Sequence, residues 1–188
     1  GKKLNYHHKV NMIGLKMSQR ANNKWPQKME NKYTAKDFRT WAASWKTGAR
    51  LAMVSEASEK EISELPELHR EAVENSEKDG FPPYVEWCGR YLKGTEGLAK
   101  LAESGNLPGE TDKERMATML AVIDTVAADL GNTRAVCRSS YIRPMFMEDW
   151  DERVFLHRWN EAKKGQIRGE NMWSDETAAI NYMKKWEE

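Results

Sequence analysis

The sequence has little of what covalently linked or metal-stabilised folds require. It contains two cysteines, Cys88 and Cys137, which are too few for a disulfide framework or a zinc-binding set. The adjacent His7 and His8 have no cysteine or carboxylate at ligand spacing nearby, so we expect no metal site. Such sparing use of cysteine is typical of a protein from a reducing compartment.

Membrane, secretion and common catalytic signatures are missing as well. No apolar run approaches the roughly 18 residues that a membrane span needs, and the basic N-terminus GKKLNYHHKV lacks the apolar core of a signal peptide. Glycine-rich phosphate loops, HExxH and GxSxG do not occur, which excludes the enzyme classes built on them. The sequence begins with Gly1 instead of methionine, so we interpret it as a processed chain or a fragment.

Charge is distributed unevenly along a chain whose net charge is only +1. Residues 1–54 hold 12 Lys and Arg against 2 Asp and Glu, whereas residues 55–114 hold 7 against 15. Residues 115–188 are nearly balanced, with 11 against 12. The basic first segment fits either a surface that binds a polyanion or an ordinary solvated basic surface.

Apolar residues recur at helical spacing through most of the chain, which predicts a mainly helical fold. The clearest helix starts at Thr111, where a capping box with Glu114 precedes an apolar stripe that ends before Gly131. Thr34 and Asp37 mark a similar helix start. Any sheet should be small, at most an N-terminal β-hairpin. The predicted helices cover about 35–54, 56–78, 84–103 as one or two short helices, 111–130, 148–164 and 174–186.

The stretch GNTRAVCRSSYIRP places Tyr141 just beyond the end of the clearest helix and among arginines. A tyrosine hydroxyl, with an ordinary pKa near 10, attacks phosphorus well only if cations and hydrogen-bond donors stabilise the developing charge. Arg39, Asn132 and a lysine would provide an arginine fork, a second donor and a proton source. The residues alone leave a plainer interpretation open, in which Tyr141 ends a helix and Arg39 forms a surface ion pair.

Four segments resemble parts of type IB DNA topoisomerases. YTAKDFRTWAASW, residues 33–45, is similar to the segment that carries a catalytic arginine in that family. LGNTRAVCRSSYIRP, residues 130–144, resembles the tyrosine motif of the bacterial, poxvirus-like branch, which typically reads LGNTPAVCRKSYIHP; Arg134, Ser139 and Arg143 depart from it. NMWSDETAAINYMKKW resembles the terminal segment of the same bacterial proteins, and GKKLNYHHKV is similar to their glycine-lysine hairpin.

The resemblance implies catalytic roles for four residues. Tyr141 would attack a DNA backbone phosphate and form a 3′-phosphotyrosyl link. Arg39 and Asn132 would bind a non-bridging oxygen, and Lys2 would protonate the leaving 5′ oxygen. The link conserves the energy of the phosphodiester, so neither ATP nor a metal nor another cofactor is needed. Further cations would position the DNA backbone, namely Lys36, Arg134, Arg138 and Arg143.

The same resemblance implies a helical catalytic domain over residues 1–188, of the kind that type IB topoisomerases share with tyrosine recombinases. It does not cover residues 55–110, which we interpret as an acidic helical insertion. The family's DNA-clamping domain and a further catalytic arginine would precede Gly1, so we expect weak or absent turnover from this chain alone. The implied partner is double-stranded DNA, and the implied protein is a cytoplasmic, nucleoid-associated monomer without membrane contact.

Two rival functions fit parts of the same pattern. A tyrosine recombinase shares the fold and the covalent step, but it usually carries histidine at the position of Lys36 and LGH in place of Leu130-Gly131-Asn132. A non-catalytic DNA-binding relative would bind DNA in a salt-sensitive way and form no covalent complex. Relaxation of DNA without strand exchange would exclude the recombinase, and a covalent protein–DNA adduct would exclude the non-catalytic relative.

Overall fold

The computed structural model describes residues 34–165 and 172–186, and this part of the chain is mainly helical, as predicted. A short antiparallel hairpin of two strands, β1 (Tyr84–Trp87) and β2 (Arg90–Lys93), interrupts the helices. No helix within these residues is both long and apolar enough to cross a membrane. The helices are α1 (Ala35–Glu56), α2 (Glu59–Asp79), α3 (Glu96–Glu103), α4 (Asp112–Leu130), α5 (Arg134–Ser140), α6 (Pro144–Asp151), α7 (Phe155–Lys163) and α8 (Ser174–Trp186).

The helix ends follow the capping signals in the sequence. The Thr111 hydroxyl accepts a hydrogen bond from the Glu114 amide, and the Glu114 carboxylate accepts one from the Thr111 amide, which confirms the predicted capping box. α4 ends before Gly131, whose φ of 65° is the left-handed conformation that glycine adopts without strain. Thr34 and Asp37 form the same reciprocal pair at the start of α1.

The hairpin corrects the prediction of helix over residues 84–103, of which only α3 is helical. Burial alternates along the two strands, so that Val85 and Leu92 are buried while their neighbours are more exposed. Cys88 and Gly89 have φ values of 47° and 70°, and they form the two-residue turn with two positive φ angles that tight hairpins require. The predicted N-terminal hairpin lies outside the described residues.

Residues 55–110, interpreted from the sequence as an acidic helical insertion, comprise α2, the hairpin and α3. This segment lies in the unit Phe38–Glu188, which also contains α4. The indole N–H of Trp87 donates to the Glu61 carbonyl (2.8 Å) and ties the hairpin to α2, while α3 packs against α2 and α4. That the segment is inserted relative to the family stays a prediction.

The core centres on the second half of α1 and on aromatic side chains from α6, α7 and α8. Every residue from Ala43 to Val54 is buried. Gly48 lies where α1 meets the aromatic side chains, and a Cβ atom there would lie 2.6 Å from Trp159 and 3.0 Å from Phe146. Glycine therefore allows α1 to approach this cluster closely. The aromatic cluster consists of Phe146, Trp150, Phe155, Trp159 and Tyr182, each at most 1% exposed.

We expect Gly48→Ala to destabilise the protein by about 1–3 kcal/mol, because the added methyl group overpacks the contact with Trp159. The direction of the change in stability is informative, because glycine-to-alanine substitution in an unconstrained helix stabilises the helix by about 1 kcal/mol. Urea denaturation measures the free energy of unfolding. Asn75→Ala, at an exposed position of α2, serves as the control for helix propensity. A stabilised Gly48→Ala protein would contradict the close packing described here.

Candidate active site

Tyr141 lies at the C-terminal end of α5, a short helix that begins shortly after α4 ends. The Thr133 hydroxyl caps the start of α5 by accepting a hydrogen bond from the Val136 amide (3.3 Å), and the Tyr141 amide donates to the Cys137 carbonyl (3.1 Å). Cys137 is fully buried, and burial raises its pKa to about 11, so it serves as a packing residue. The backbone of Tyr141 is thereby held in place, while its side chain is half-buried.

Arg39 approaches Tyr141 from α1. Its guanidinium carbon lies 5.8 Å from the centre of the Tyr141 ring, and its Nη2 donates a hydrogen bond to the Leu130 carbonyl (3.0 Å). Arg39 is exposed, so its remaining donors are accessible. One guanidinium group thus contacts both the end of α4 and the ring of the predicted nucleophile. Two of the four residues predicted to be catalytic therefore lie side by side.

Asn132 follows the Gly131 cap, two residues beyond the carbonyl that Arg39 contacts. Its backbone N–H donates to the Ala127 carbonyl (2.9 Å), which fixes it at the end of α4. Its side-chain Nδ2 is buried and has no hydrogen-bond partner among the described residues. Because buried amide donors normally have an acceptor, this nitrogen has donor capacity that a bound oxygen atom could use.

A buried ion cluster joins α1 to α4 close to these residues. Asp129 Oδ2 lies 2.5 Å from both Lys46 Nζ and Arg50 Nη2. Arg50 Nη1 also donates to the Thr125 hydroxyl (3.0 Å). The three charged side chains are at most 10% exposed. Asp129 comes directly before Leu130, whose carbonyl accepts the hydrogen bond from Arg39. The cluster therefore holds α1 and α4 together next to the candidate site.

Sequence reasoning missed this cluster, although one signal was available. Lys46 lies at helical spacing from Ala42 and Ala49, which belong to an apolar stripe on α1. A cation on such a stripe indicates a buried partner, because charged side chains are rarely buried unless they are paired. The spacing could not identify Asp129, which lies 83 positions away in the sequence.

Asp129→Asn is expected to lower the free energy of unfolding by about 3–5 kcal/mol, because it leaves two buried cations without a carboxylate. Asp124→Asn is a matched control on the same helix. It breaks a pair with Arg134 in which the side chains are 25% and 49% exposed, and it should cost no more than about 1 kcal/mol. Urea denaturation at neutral pH measures both losses, and equal losses would rule out a dominant buried cluster.

The same cluster should make stability depend on pH. Burial alone would raise the pKa of Asp129, but the Arg50 and Lys46 cations outweigh burial and hold the pKa below its ordinary value of 3.8. The contribution to stability is therefore complete above that value and is lost as the pH falls through the lower, folded-state pKa. We expect the stability difference between the wild type and Asp129→Asn to shrink in this acid range.

The three predicted DNA-binding arginines lie near Tyr141 in the sequence but differ in their surroundings. Arg134 forms a two-point ion pair with Asp124, in which its Nε lies 2.6 Å from Oδ1. Arg138 is exposed on the last turn of α5, and Arg143 is exposed at the start of α6. Their contact with DNA stays a prediction, and Arg134 would have to share its guanidinium with Asp124.

Two further predicted residues come before Phe38 in the sequence. Lys36 is exposed on the first turn of α1. Lys2, the predicted proton donor, lies outside the described residues, as does the His7-His8 pair. Within residues 34–165 and 172–186, no three His, Cys, Asp or Glu side chains are grouped so that they could hold a metal ion.

The comparison with protein families gives a match that spans most of the chain. The model described as the catalytic core of eukaryotic DNA topoisomerase I matches residues 6–164, a range that includes Arg39, Asn132 and Tyr141. No curated protein and no solved structure matches the chain. With more than half of its length matched, and with an arginine and a tyrosine from distant helices in contact, this chain belongs to the DNA topoisomerase I family.

Proposed function

We propose that this protein is a type IB DNA topoisomerase that relaxes supercoiled double-stranded DNA by cutting and resealing one strand, with Tyr141 as its nucleophile. The observation that carries the proposal is the approach of the Arg39 guanidinium to the Tyr141 ring, at 5.8 Å, in a chain of this family. An arginine fork binds phosphate oxygens strongly, and a phenol beside it is placed to attack the same phosphate.

The proposed reaction balances without an added reactant. The Tyr141 hydroxyl oxygen forms a bond to phosphorus and gives up its proton to solvent water, while the bond from phosphorus to the 5′ oxygen breaks and that oxygen gains a proton. Lys2 is the proposed proton donor. The product is a 3′-phosphotyrosyl link and a free 5′-hydroxyl strand, which swivels about the intact strand. Attack by the 5′ hydroxyl on the link reverses each step, so the phosphodiester is restored without ATP or a metal.

Arg39 and Asn132 would stabilise the charge that develops on the phosphate. The bond from Arg39 to the Leu130 carbonyl is exposed, and a charge-assisted bond to phosphate is stronger than a bond to a neutral carbonyl. DNA could therefore displace that contact at little cost. The Asn132 Nδ2 lacks an acceptor among the described residues, and a non-bridging oxygen would supply one once the buried amide turns outward. Loss of one such donor typically costs about a hundred- to a thousandfold in rate.

The remaining parts of the proposal rest on exposure, charge and motif resemblance. Arg138, Arg143 and Lys36 are exposed cations that would bind DNA phosphates, with Arg134 as a further contact once it is shared with Asp124. The match of residues 130–144 to the LGNTPAVCRKSYIHP motif supports placement in the bacterial, poxvirus-like branch. A protein of that branch would act as a monomer in the cytoplasm, at the nucleoid.

A nicked suicide substrate tests the proposed chemistry, because the short 5′-hydroxyl fragment diffuses away and resealing becomes impossible. We expect a covalent complex in which the protein is attached to the 3′ end of the cut strand, formed in the presence of EDTA and without ATP. Plasmid relaxation in the same buffer tests the complete cycle, for which we expect slow or absent turnover. Salt-sensitive DNA binding without any adduct would indicate a non-catalytic relative. Strand exchange between two duplexes without relaxation would indicate a recombinase.

A further inference from the structure

Ser44 links the helix of Arg39 to the segment of Tyr141. Its hydroxyl donates a hydrogen bond to the Tyr141 carbonyl oxygen (3.3 Å) and accepts one from the Arg143 amide (3.1 Å). Ser44 is 1% exposed, so water has little access to either bond. It lies 97 positions from Tyr141 in the sequence. Both partners are backbone groups, which is why no side-chain motif marks this contact.

The two bonds hold the connection between α5 and α6. This connection consists of Tyr141, Ile142 and Arg143, of which Ile142 is 5% exposed. Buried backbone groups between two helices need hydrogen-bond partners from other parts of the chain. The Ser44 hydroxyl donates to the residue before Ile142 and accepts from the residue after it. The hydroxyl therefore fixes the backbone of the residue that carries the phenol.

Arg39 stands five positions before Ser44 on the same continuous helix. If the Tyr141 backbone moves away from Ser44, its position relative to the Arg39 backbone therefore changes as well. We propose that Ser44 is a positioning residue that sets the separation of Arg39 and Tyr141 through this two-way hydrogen bond. The inference rests on the proposed function, because it concerns the alignment of that reaction's nucleophile.

Removal of the hydroxyl should slow the chemistry without weakening DNA binding. Ser44→Ala leaves the Tyr141 carbonyl and the Arg143 amide without this shared partner and loosens the connection between α5 and α6. A misplacement of about 1 Å between reacting groups costs about a hundredfold in rate, so we expect single-turnover cleavage at saturating DNA to fall about tenfold to a hundredfold. The dissociation constant for DNA should not change, since Ser44 is buried.

Thr47→Val is the matched control. Thr47 is a fully buried residue of the same helix, and its hydroxyl donates within α1, to the Ala43 carbonyl (2.8 Å). Both variants remove one buried hydroxyl group, so a general loss of stability would slow both alike. Ser44→Thr keeps the hydroxyl and should cleave close to the wild-type rate. Ser44→Cys keeps a similar volume with a weak donor and acceptor, and it should cleave slowly.

The measurement is the rate of adduct formation on the nicked substrate at saturating DNA, with the DNA dissociation constant and urea denaturation recorded for each variant. Slow cleavage by Ser44→Ala at unchanged affinity, beside fast cleavage by Thr47→Val, supports the inference; equal rates overturn it. If Ser44→Ala does not fold, Ser44→Cys decides, and cleavage at the wild-type rate by that variant overturns the inference. A wild-type protein that forms no adduct refutes the proposed function itself, which distinguishes the two failures.

Discussion

Tyr141→Phe is expected to abolish the covalent protein–DNA complex and all strand cleavage. The change removes one oxygen atom, which is the proposed nucleophile, and no other described group stands in the same relation to Arg39. The ring remains, so its contact with the Arg39 guanidinium and the packing around it should persist. Folding and DNA affinity should therefore equal those of the wild type, as urea denaturation and salt-dependent DNA binding would show.

Tyr91→Phe is the matched control for that experiment. Tyr91 lies on the outward face of the hairpin and is 65% exposed, so the same atom is removed from a tyrosine that has no role in the proposed chemistry. Its adduct yield on the nicked substrate should equal that of the wild type. Cleavage that survives in Tyr141→Phe would show that another group is the nucleophile.

Arg39→Lys should lower the rate of cleavage at saturating DNA by about a hundred- to a thousandfold. Lysine keeps the positive charge but lacks the planar guanidinium group, which donates two parallel hydrogen bonds to a phosphate. If Arg39 acted through its charge alone, lysine would largely replace it; if Arg39 acts through the paired hydrogen bonds, lysine would not. The bond to the Leu130 carbonyl is exposed, and its loss should have little effect on folding. Single-turnover kinetics on the nicked substrate measure the effect.

Two further variants calibrate the Arg39 result. Arg70→Lys makes the same chemical change at an exposed ion pair with Glu67 on α2, and it should leave cleavage unchanged. Arg138→Ala removes a predicted phosphate contact, so it should weaken DNA binding and reduce its salt dependence without a large effect on the rate at saturation. A rate for Arg39→Lys that matches Arg70→Lys would mean that the guanidinium of Arg39 is not part of the reaction.

Most helical parts of the fold could be predicted because their signals are local, although α5 was not predicted and the single helix predicted over 148–164 is divided into α6 and α7. The Thr111 capping box and the left-handed Gly131 depend only on neighbouring residues, and both appear where the sequence placed them. The hairpin was missed because each strand has four residues, too few to show a period of two against the helical propensity of its surroundings. The Cys88-Gly89 turn was the available signal, although cysteine is an unusual residue at positive φ.

The candidate site could be predicted only in part. Resemblance singled out Arg39 and Tyr141, but their approach is a tertiary contact between α1 and the end of α5 that periodicity does not encode. The buried Asp129 cluster and Ser44 were not foreseen. Asp129 pairs with cations far away in the sequence, and Ser44 pairs with backbone atoms. Neither kind of contact leaves a pattern in the spacing of residue types.

The central chemical claim is that the phenol oxygen of Tyr141 becomes bonded to a DNA phosphorus atom. Mass spectrometry of the trapped adduct, after digestion of both protein and DNA, identifies the modified residue and the polarity of the link directly. We expect a peptide that contains Tyr141 joined to the 3′ phosphate of a nucleotide. A nucleotide on any other residue, a link to a 5′ phosphate, or no modified peptide from the trapped reaction would contradict the claim.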